Sequence, residues 1–122
     1  MSKVGDWSYG DDYGDHLTFD GTIIKTFKSG EIKYLKNGKY HRCDGPAHIL
    51  PSGKQEWYYD GLLHRLDGPA FITAFGAEFY YVNGRHVGKE VIDWINTNRI
   101  TYPFSKDNEV LFNLRWADYQ FG

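Results

Sequence analysis

The sequence has little that would attach it to nucleic acid, a membrane or a disulfide framework. Its 122 residues include one cysteine, Cys43, so no disulfide can form within the chain. A formal net charge of −2 gives no basic field for phosphates. No apolar run approaches the roughly 18 residues of a membrane span, and no signal-like segment opens the chain. We expect a cytoplasmic protein whose partners are neither membranes nor nucleic acid.

The signatures of common enzymes are missing as well. The chain has no GxSxG elbow, phosphate-binding P-loop, HExxH or paired CxxC. HRLD at 64–67 matches part of a protein-kinase catalytic loop, but no glycine-rich nucleotide loop accompanies it. We therefore predict a protein that is not an enzyme and that uses no cofactor and no metal.

Aromatic residues and glycine are abundant instead. Ten Tyr, eight Phe, four Trp and fourteen Gly favour short strands and tight turns over a helical bundle. Charge is uneven, since residues 1–20 carry one lysine against five aspartates, a net charge of −4. The chain therefore opens with an acidic, aromatic segment.

A repeat of 23 residues organises the chain. HRCDGPA at 41–47 and HRLDGPA at 64–70 share six of seven residues, and Tyr34, Trp57 and Tyr80 have the same spacing. Asp20 and Gly21 belong to a degenerate earlier copy. The repeated structural motif comprises His41, Arg42, Asp44, Gly45 and Pro46, then His64, Arg65, Asp67, Gly68 and Pro69.

Turn signals divide each repeat into two strands. Asn37-Gly38, Asp60-Gly61 and Asn83-Gly84 are dipeptides that suit type I′ hairpin turns. The motif then links one hairpin to the next. We predict a mainly β fold: a single-layer antiparallel β-meander of hairpin repeats over 20–86, after an N-terminal segment (1–19) that is either a disordered tail or an extra strand. Residues 87–122 would cap the meander.

The capping region combines a short α-helix with a further strand or helix. Val91, Ile92 and Ile95 have helical spacing, which predicts a helix over 88–98. In 105–118 the alternation of Val110, Phe112, Leu114 and Trp116 favours a strand, which we predict, although Ser105 as an N-cap also permits a helix.

The motif followed by an aromatic strand and an NG or DG turn resembles MORN-like repeat proteins. Tyr58, Gly61 and His64 match the start of the usual repeat, whereas Arg65, Leu66 and Asp67 add a residue before Gly68. The DGPA form is similar to a variant in uncharacterised proteins of tailed bacteriophages and large DNA viruses. The resemblance implies a β-repeat fold and a viral origin, but no catalytic mechanism.

The motif residues have two interpretations. The histidine packs between repeats while the arginine pairs with the aspartate and the turn backbone, or His41, Asp44, His64 and Asp67 serve a ligand or a reaction. We favour the first, because equivalent histidines about 10 Å apart cannot share a metal. The position of Cys43 and Leu66 is expected to need a small apolar side chain.

We expect the function to be binding. Consecutive aromatic residues on a strand cannot all point to one face, so some are exposed and suited to a protein partner. The predicted partner-binding residues are Trp7, Tyr9, Asp11, Asp12, Tyr13, Trp57, Tyr59 and Tyr81. Our first hypothesis is a phage-encoded module that inhibits or redirects a host protein, such as a bacterial defence component. The alternatives are a repeat protein that self-assembles through its sheet edges and a small-ligand binder or enzyme.

Overall fold

The computed structural model describes residues 12–121, in which eleven β-strands precede two α-helices. The mainly β prediction is confirmed. The strands are β1 Asp12–Leu17, β2 Ile23–Phe27, β3 Ile32–Lys36, β4 Lys39–Tyr40, β5 His48–Ile49, β6 Gln55–Glu56, β7 Tyr58–Tyr59, β8 Leu62–Leu63, β9 Phe71–Ile72, β10 Glu78–Val82 and β11 Arg85–Val87. The helices are α1 Lys89–Thr97 and α2 Lys106–Arg115.

The strands of the described residues form an antiparallel meander. Nine belong to one sheet in the order β1-β2-β3-β5-β6-β9-β10-β11, with β4 paired to β3. β7 and β8 form a separate pair. Neighbouring strands in the sheet therefore follow chain order, as hairpin repeats require.

The strand before each Asn-Gly or Asp-Gly turn pairs with different neighbours along its two halves. Residues 55–59 follow one another as β6 and β7, interrupted at Trp57. β6 pairs with β5 and β9 of the sheet, whereas β7 pairs only with β8 among the described strands. β3 is divided without a break, because Ile32 pairs with β5 and Leu35 with β4. The first half of each of these strands thus pairs with β5 or β9, and the second half pairs with a short strand across an Asn-Gly or Asp-Gly turn, namely β4, β8 or β11.

The hairpins closed by these dipeptides have the turns that the sequence predicts. Asn37, Asp60 and Asn83 have φ of 52°, 49° and 52°, and the glycine after each is also at positive φ. Positive φ at both central positions defines the type I′ turn, which fits the twist of the flanking strands.

The strand prediction for 105–118 is wrong, because residues 106–115 form α2. Ser105 is its N-cap and accepts a hydrogen bond from the Asn108 backbone at 3.1 Å. Phe112 and Trp116 lie one turn apart and are buried, while Val110 and Leu114 are exposed. The alternating residues of 110–116 include Phe112 and Trp116, whose spacing also suits one face of a helix. The N-cap at Ser105 favours the helix. The helix predicted over 88–98 is confirmed as α1.

The hydrophobic core lies at the C-terminal end of the sheet. The two helices pack there against the last strands through buried apolar residues, which are Val82, Val87, Val91, Ile92, Ile95, Ile100, Phe112 and Trp116. Both motif alanines, Ala47 and Ala70, are also fully buried, but within the meander. The single-layer sheet therefore acquires a two-layer core only under the helices.

The N-terminal segment contributes a strand where it is described. Asp12 and Tyr13 lie in β1, which pairs with β2, so this part is an extra strand and not a tail. Trp7, Tyr9 and Asp11 of the predicted binding surface lie outside the described residues. Neither described helix has the length and hydropathy required to cross a membrane.

The helical assignment of 106–115 predicts opposite outcomes at adjacent positions. Phe112→Ala should lower the free energy of unfolding by about 3–5 kcal/mol, because Phe112 is 7% exposed within the core. Leu111→Ala, at a position 52% exposed, should change it by less than about 0.5 kcal/mol. Urea denaturation measures both, and equal losses would contradict the orientation of α2.

Candidate functional site

A cleft of about 690 Å³ lies between the two copies of the motif. We call residues 41–47 the first motif loop and residues 64–70 the second. Each loop follows one of these hairpins and leads into the next strand of the sheet. The cleft is lined by Arg42, Cys43, Asp44, Gly45, Pro46, Trp57, Tyr59, His64, Arg65, Leu66, Asp67, Tyr102 and Pro103.

The motif histidine binds the turn of the following repeat. His41 Nδ1 accepts a hydrogen bond from the Asp60 backbone N–H at 3.0 Å, and His64 Nδ1 accepts one from Asn83 at 3.0 Å. Asp60 and Asn83 are the first central residues of type I′ turns. In the neutral ring an accepting Nδ1 leaves the proton on Nε2. Each histidine thus fixes the position of the next hairpin.

The two histidines differ at Nε2. His41 Nε2 lies 3.7 Å from the Cys43 sulfur, whereas Leu66 occupies the equivalent position in the second loop. His64 Nε2 has no hydrogen-bond partner among the described residues. Burial lowers the pKa of His64 to about 4, so its ring is neutral near pH 7.

Cys43 corrects the expectation of a small apolar side chain at this position. Its side chain is exposed at the wall of the cleft, while Leu66 is half-buried and packs against the C-terminal core. The residue type at this position therefore depends on its local surroundings, because the C-terminal core packs against Leu66 in the second loop.

The side chain of the motif arginine cross-links its own loop through hydrogen bonds. Arg42 Nε donates to Asp44 at 2.9 Å and its Nη1 donates to the Pro46 carbonyl at 3.1 Å. Arg65 makes the same two bonds to Asp67 and Pro69, at 2.8 and 3.1 Å. This is the arginine–aspartate pairing that the sequence predicts.

Each guanidinium group also covers an aromatic ring. The Arg42 guanidinium carbon lies 4.1 Å from the Tyr34 ring centre, and that of Arg65 lies 4.2 Å from Trp57. The arginine side chains are 23% exposed, whereas Asp44 and Asp67 are 86% and 79% exposed. The bond from Arg42 lowers the pKa of Asp44. The loops therefore present carboxylate to solvent and keep the cation underneath.

The motif glycine provides room for that cation. A Cβ atom built on Gly45 would lie 2.7 Å from the Arg42 guanidinium carbon, and one on Gly68 would lie 2.7 Å from that of Arg65. Neither glycine has a positive φ. Close approach of the side chain explains this glycine, and turn geometry does not.

The aromatic residues divide between two sides of the repeat. Trp57 and Tyr59 line the cleft, while Tyr58 between them stacks on Tyr40 with ring centres 5.0 Å apart. Tyr81 does not line the cleft and packs against His86 at 5.2 Å. Of the predicted binding residues that the structure describes, two therefore come together at the cleft.

The C-terminal loop adds residues that sequence reasoning missed. The Tyr102 ring lies 3.9 Å from the His64 ring and 4.9 Å from Tyr59, centre to centre, and its hydroxyl donates to Asn83. Pro103 also lines the cleft. No repeat spacing marks these residues, since they lie between α1 and α2.

A smaller cleft of about 480 Å³ occupies the equivalent place one repeat earlier. The segment 18–22, where the degenerate copy lies, forms one wall and the first motif loop forms the other. Asp20, the aspartate of the degenerate copy, lines this cleft together with Asp44, and its carboxylate accepts from Thr18 and from the Thr22 backbone. Tyr34 lines this cleft as Trp57 lines the larger one.

His48 belongs to a separate polar cluster. Its two ring nitrogens lie 2.6 Å from Glu31 and 2.7 Å from Glu56, and Tyr40 stacks on the ring. Both contacts are satisfied when the two ring nitrogens each carry a proton and donate. The cluster ties three neighbouring strand segments together and was not apparent from one histidine in the sequence.

Comparison with family models, curated proteins and solved structures gave no match. Within residues 12–121, no group of three or more His, Cys, Asp or Glu side chains is arranged to hold a metal ion. The geometry of the cleft is therefore the basis for functional inference.

The low pKa of His64 predicts a loss of stability in acid. The unfolded chain, with an ordinary histidine pKa near 6.5, takes up a proton that the folded chain resists until pH 4. Stability is fully present above pH 6.5 and should fall by roughly 3 kcal/mol between pH 6.5 and 4. His64→Asn keeps an acceptor for Asn83 but does not titrate. Denaturation at several pH values should show a flatter profile for this variant, and an unchanged profile for the exposed-site control His16→Asn.

Gly68→Ala should destabilise the protein by about 1–3 kcal/mol, because the new methyl group displaces the Arg65 guanidinium. In an Arg65→Ala background the same substitution should cost much less. Chemical denaturation of the four proteins of this cycle provides the test. Equal costs in both backgrounds would mean that the glycine serves another purpose.

Proposed function

We propose that this protein is a non-enzymatic protein-binding module whose partner occupies the cleft between the two motif loops. The cleft itself carries the proposal. At about 690 Å³ it falls in the range of ligand sites, and it combines aromatic walls with polar groups at its rim.

Aromatic side chains make the cleft suitable for a protein partner. Trp57, Tyr59 and Tyr102 present large, rigid surfaces beside Pro103. Tyrosine and tryptophan in a desolvated pocket are typical of the residues that dominate binding energy in protein interfaces. Backbone hydrogen bonds from Arg42 to Tyr58 and from Arg65 to Tyr81 hold both motif loops, so little ordering is needed when a partner binds.

The polar motif groups favour binding over catalysis. Arg42 and Arg65 are held by their own loops, and each histidine uses Nδ1 to accept from a backbone N–H. A catalytic base needs a free nitrogen beside the proton that it abstracts. With Nδ1 occupied and Nε2 protonated, neither motif histidine offers one.

The specific form of the proposal is a MORN-like, DGPA-type phage protein that binds a host protein, such as a bacterial defence component, in the cytoplasm. Support for the viral origin is the HRxDGPA motif, repeated at 23 residues. The sequence supports a protein partner over nucleic acid through its net charge of −2.

The single cysteine allows the cleft to be blocked without altering the fold. Cys43 is exposed at the cleft wall, so a bulky maleimide should fill part of the cleft. Tagged protein should retain a specific partner from bacterial lysate, and labelling of Cys43 should reduce capture at least about tenfold. Mass spectrometry of the captured proteins measures the loss.

Cys43→Ser is the matched control for this experiment. It should capture the same partner with and without the maleimide, since it has no thiol to react. If labelling leaves capture by the unmodified sequence unchanged, the cleft is not the binding surface. If no protein is specifically retained by either form, the proposed function is wrong.

The outer side of α2 favours a second candidate, self-association. Val110, Leu111 and Leu114 are 56%, 52% and 71% exposed and lie within one helical turn or so of each other. Light scattering at increasing protein concentration should detect oligomers under this alternative. Leu114→Glu should then restore the monomer, whereas the cleft variants should not.

A further inference from the structure

The exposed carboxylates of the motif form a row along the two clefts. Asp20, Asp44 and Asp67 occupy equivalent positions in successive copies, and their side chains are 52%, 86% and 79% exposed. Two strand steps of the sheet separate each copy from the next. At about 4.8 Å a step, the carboxylates recur at about 10 Å.

The cations beside this row are already engaged, Arg42 and Arg65 within their loops and Lys36 with Asp20, whose carboxylate lies 3.9 Å from Lys36 Nζ. Arg42 and Arg65 lie against Tyr34 and Trp57 with their Nε and Nη1 groups bonded within the loop. Each arginine is 23% exposed at the cleft wall, whereas the aspartate to which it is bonded is far more exposed. A binding partner therefore meets carboxylate oxygens at the rim and aromatic carbon below.

A buried donor lies at the end of the larger cleft. His64 lines this cleft, is 7% exposed, and carries an Nε2–H without a hydrogen-bond partner among the described residues. The Tyr102 ring lies 3.9 Å from the imidazole, centre to centre, at the same end of the cleft lining. The group that suits a neutral N–H donor beside two carboxylates is an uncharged acceptor, such as a peptide carbonyl.

We infer that the occupant of the clefts is a basic segment of a partner protein in the polyproline II conformation, with a lysine or arginine at every third residue. This inference rests on the proposed function and names the chemistry of the partner. In the polyproline II conformation a chain advances about 3.1 Å per residue and completes one turn in three residues, so every third side chain lies on the same face at an interval close to the 10 Å spacing of the carboxylates. Cationic side chains at that interval meet Asp20, Asp44 and Asp67 in turn, and the aromatic walls add cation–π attraction.

Two peptides of identical composition test the spacing. The first is Lys-Thr-Thr-Lys-Thr-Thr-Lys, and the second is Lys-Lys-Lys-Thr-Thr-Thr-Thr. Both ends of each peptide are blocked. Calorimetric titration should give a dissociation constant at least about tenfold lower for the first peptide, since only that one reaches all three carboxylates. Equal affinities, or no binding of the first peptide, would overturn the inference.

Substitution of the carboxylates tests their role. Asp44→Asn with Asp67→Asn keeps an acceptor for each arginine but removes two charges, and it should weaken binding of the spaced peptide at least about tenfold. Asp93→Asn with Asp118→Asn removes two charges from exposed sites near the helices and should leave binding unchanged. The same loss in both variants would mean that only net charge matters and would overturn the inference.

The lysate partner separates this inference from the proposed function. If maleimide at Cys43 abolishes capture while Asp44→Asn with Asp67→Asn does not, the cleft binds a protein but the basic segment is wrong. If maleimide has no effect, the cleft is not the binding surface and both proposals fail.

Discussion

The hydrogen bond from a turn N–H to the Nδ1 atom of the motif histidine is the interaction on which the rest of the repeat depends. A type I′ turn leaves the N–H of its first central residue outside the hairpin ladder. The histidine of the preceding repeat accepts it, for Asp60 as for Asn83. The interaction joins residues 19 positions apart and so fixes the position of the next hairpin.

Other contacts between repeats follow the same register. The Arg42 backbone donates to the Tyr58 carbonyl and the Arg65 backbone to Tyr81, and Gly61 and Gly84 donate to Tyr40 and Leu63. With the backbones fixed, each arginine side chain is free to bind its own loop and cover the aromatic ring of its own repeat. The clefts lie between consecutive motif loops, which stand two strands apart in the sheet.

The repeat was predictable from sequence because its determinants are local. Asn-Gly and Asp-Gly dipeptides specify their turns through backbone sterics, and the Arg65–Asp67 pair spans two residues. What could not be predicted depends on distant parts of the chain. Tyr102 reaches His64 from beyond α1, and α2 was mistaken for a strand because its two buried residues also fit an alternating pattern. The different partners of the two halves of 55–59 also depend on the neighbouring repeats.

The site combines both kinds of information. Trp57 and Tyr59 were predicted as binding residues because consecutive aromatic residues on a strand cannot all point to one face, and the structure places both at the cleft. The unpartnered Nε2 of His64 has a different origin. In the first loop Cys43 lies beside the equivalent nitrogen, but in the second loop the neighbouring core requires the larger, apolar Leu66. The residue after the motif arginine thus differs between the two loops, because Leu66 packs against the C-terminal core. His64 is left with a buried donor beside the larger cleft.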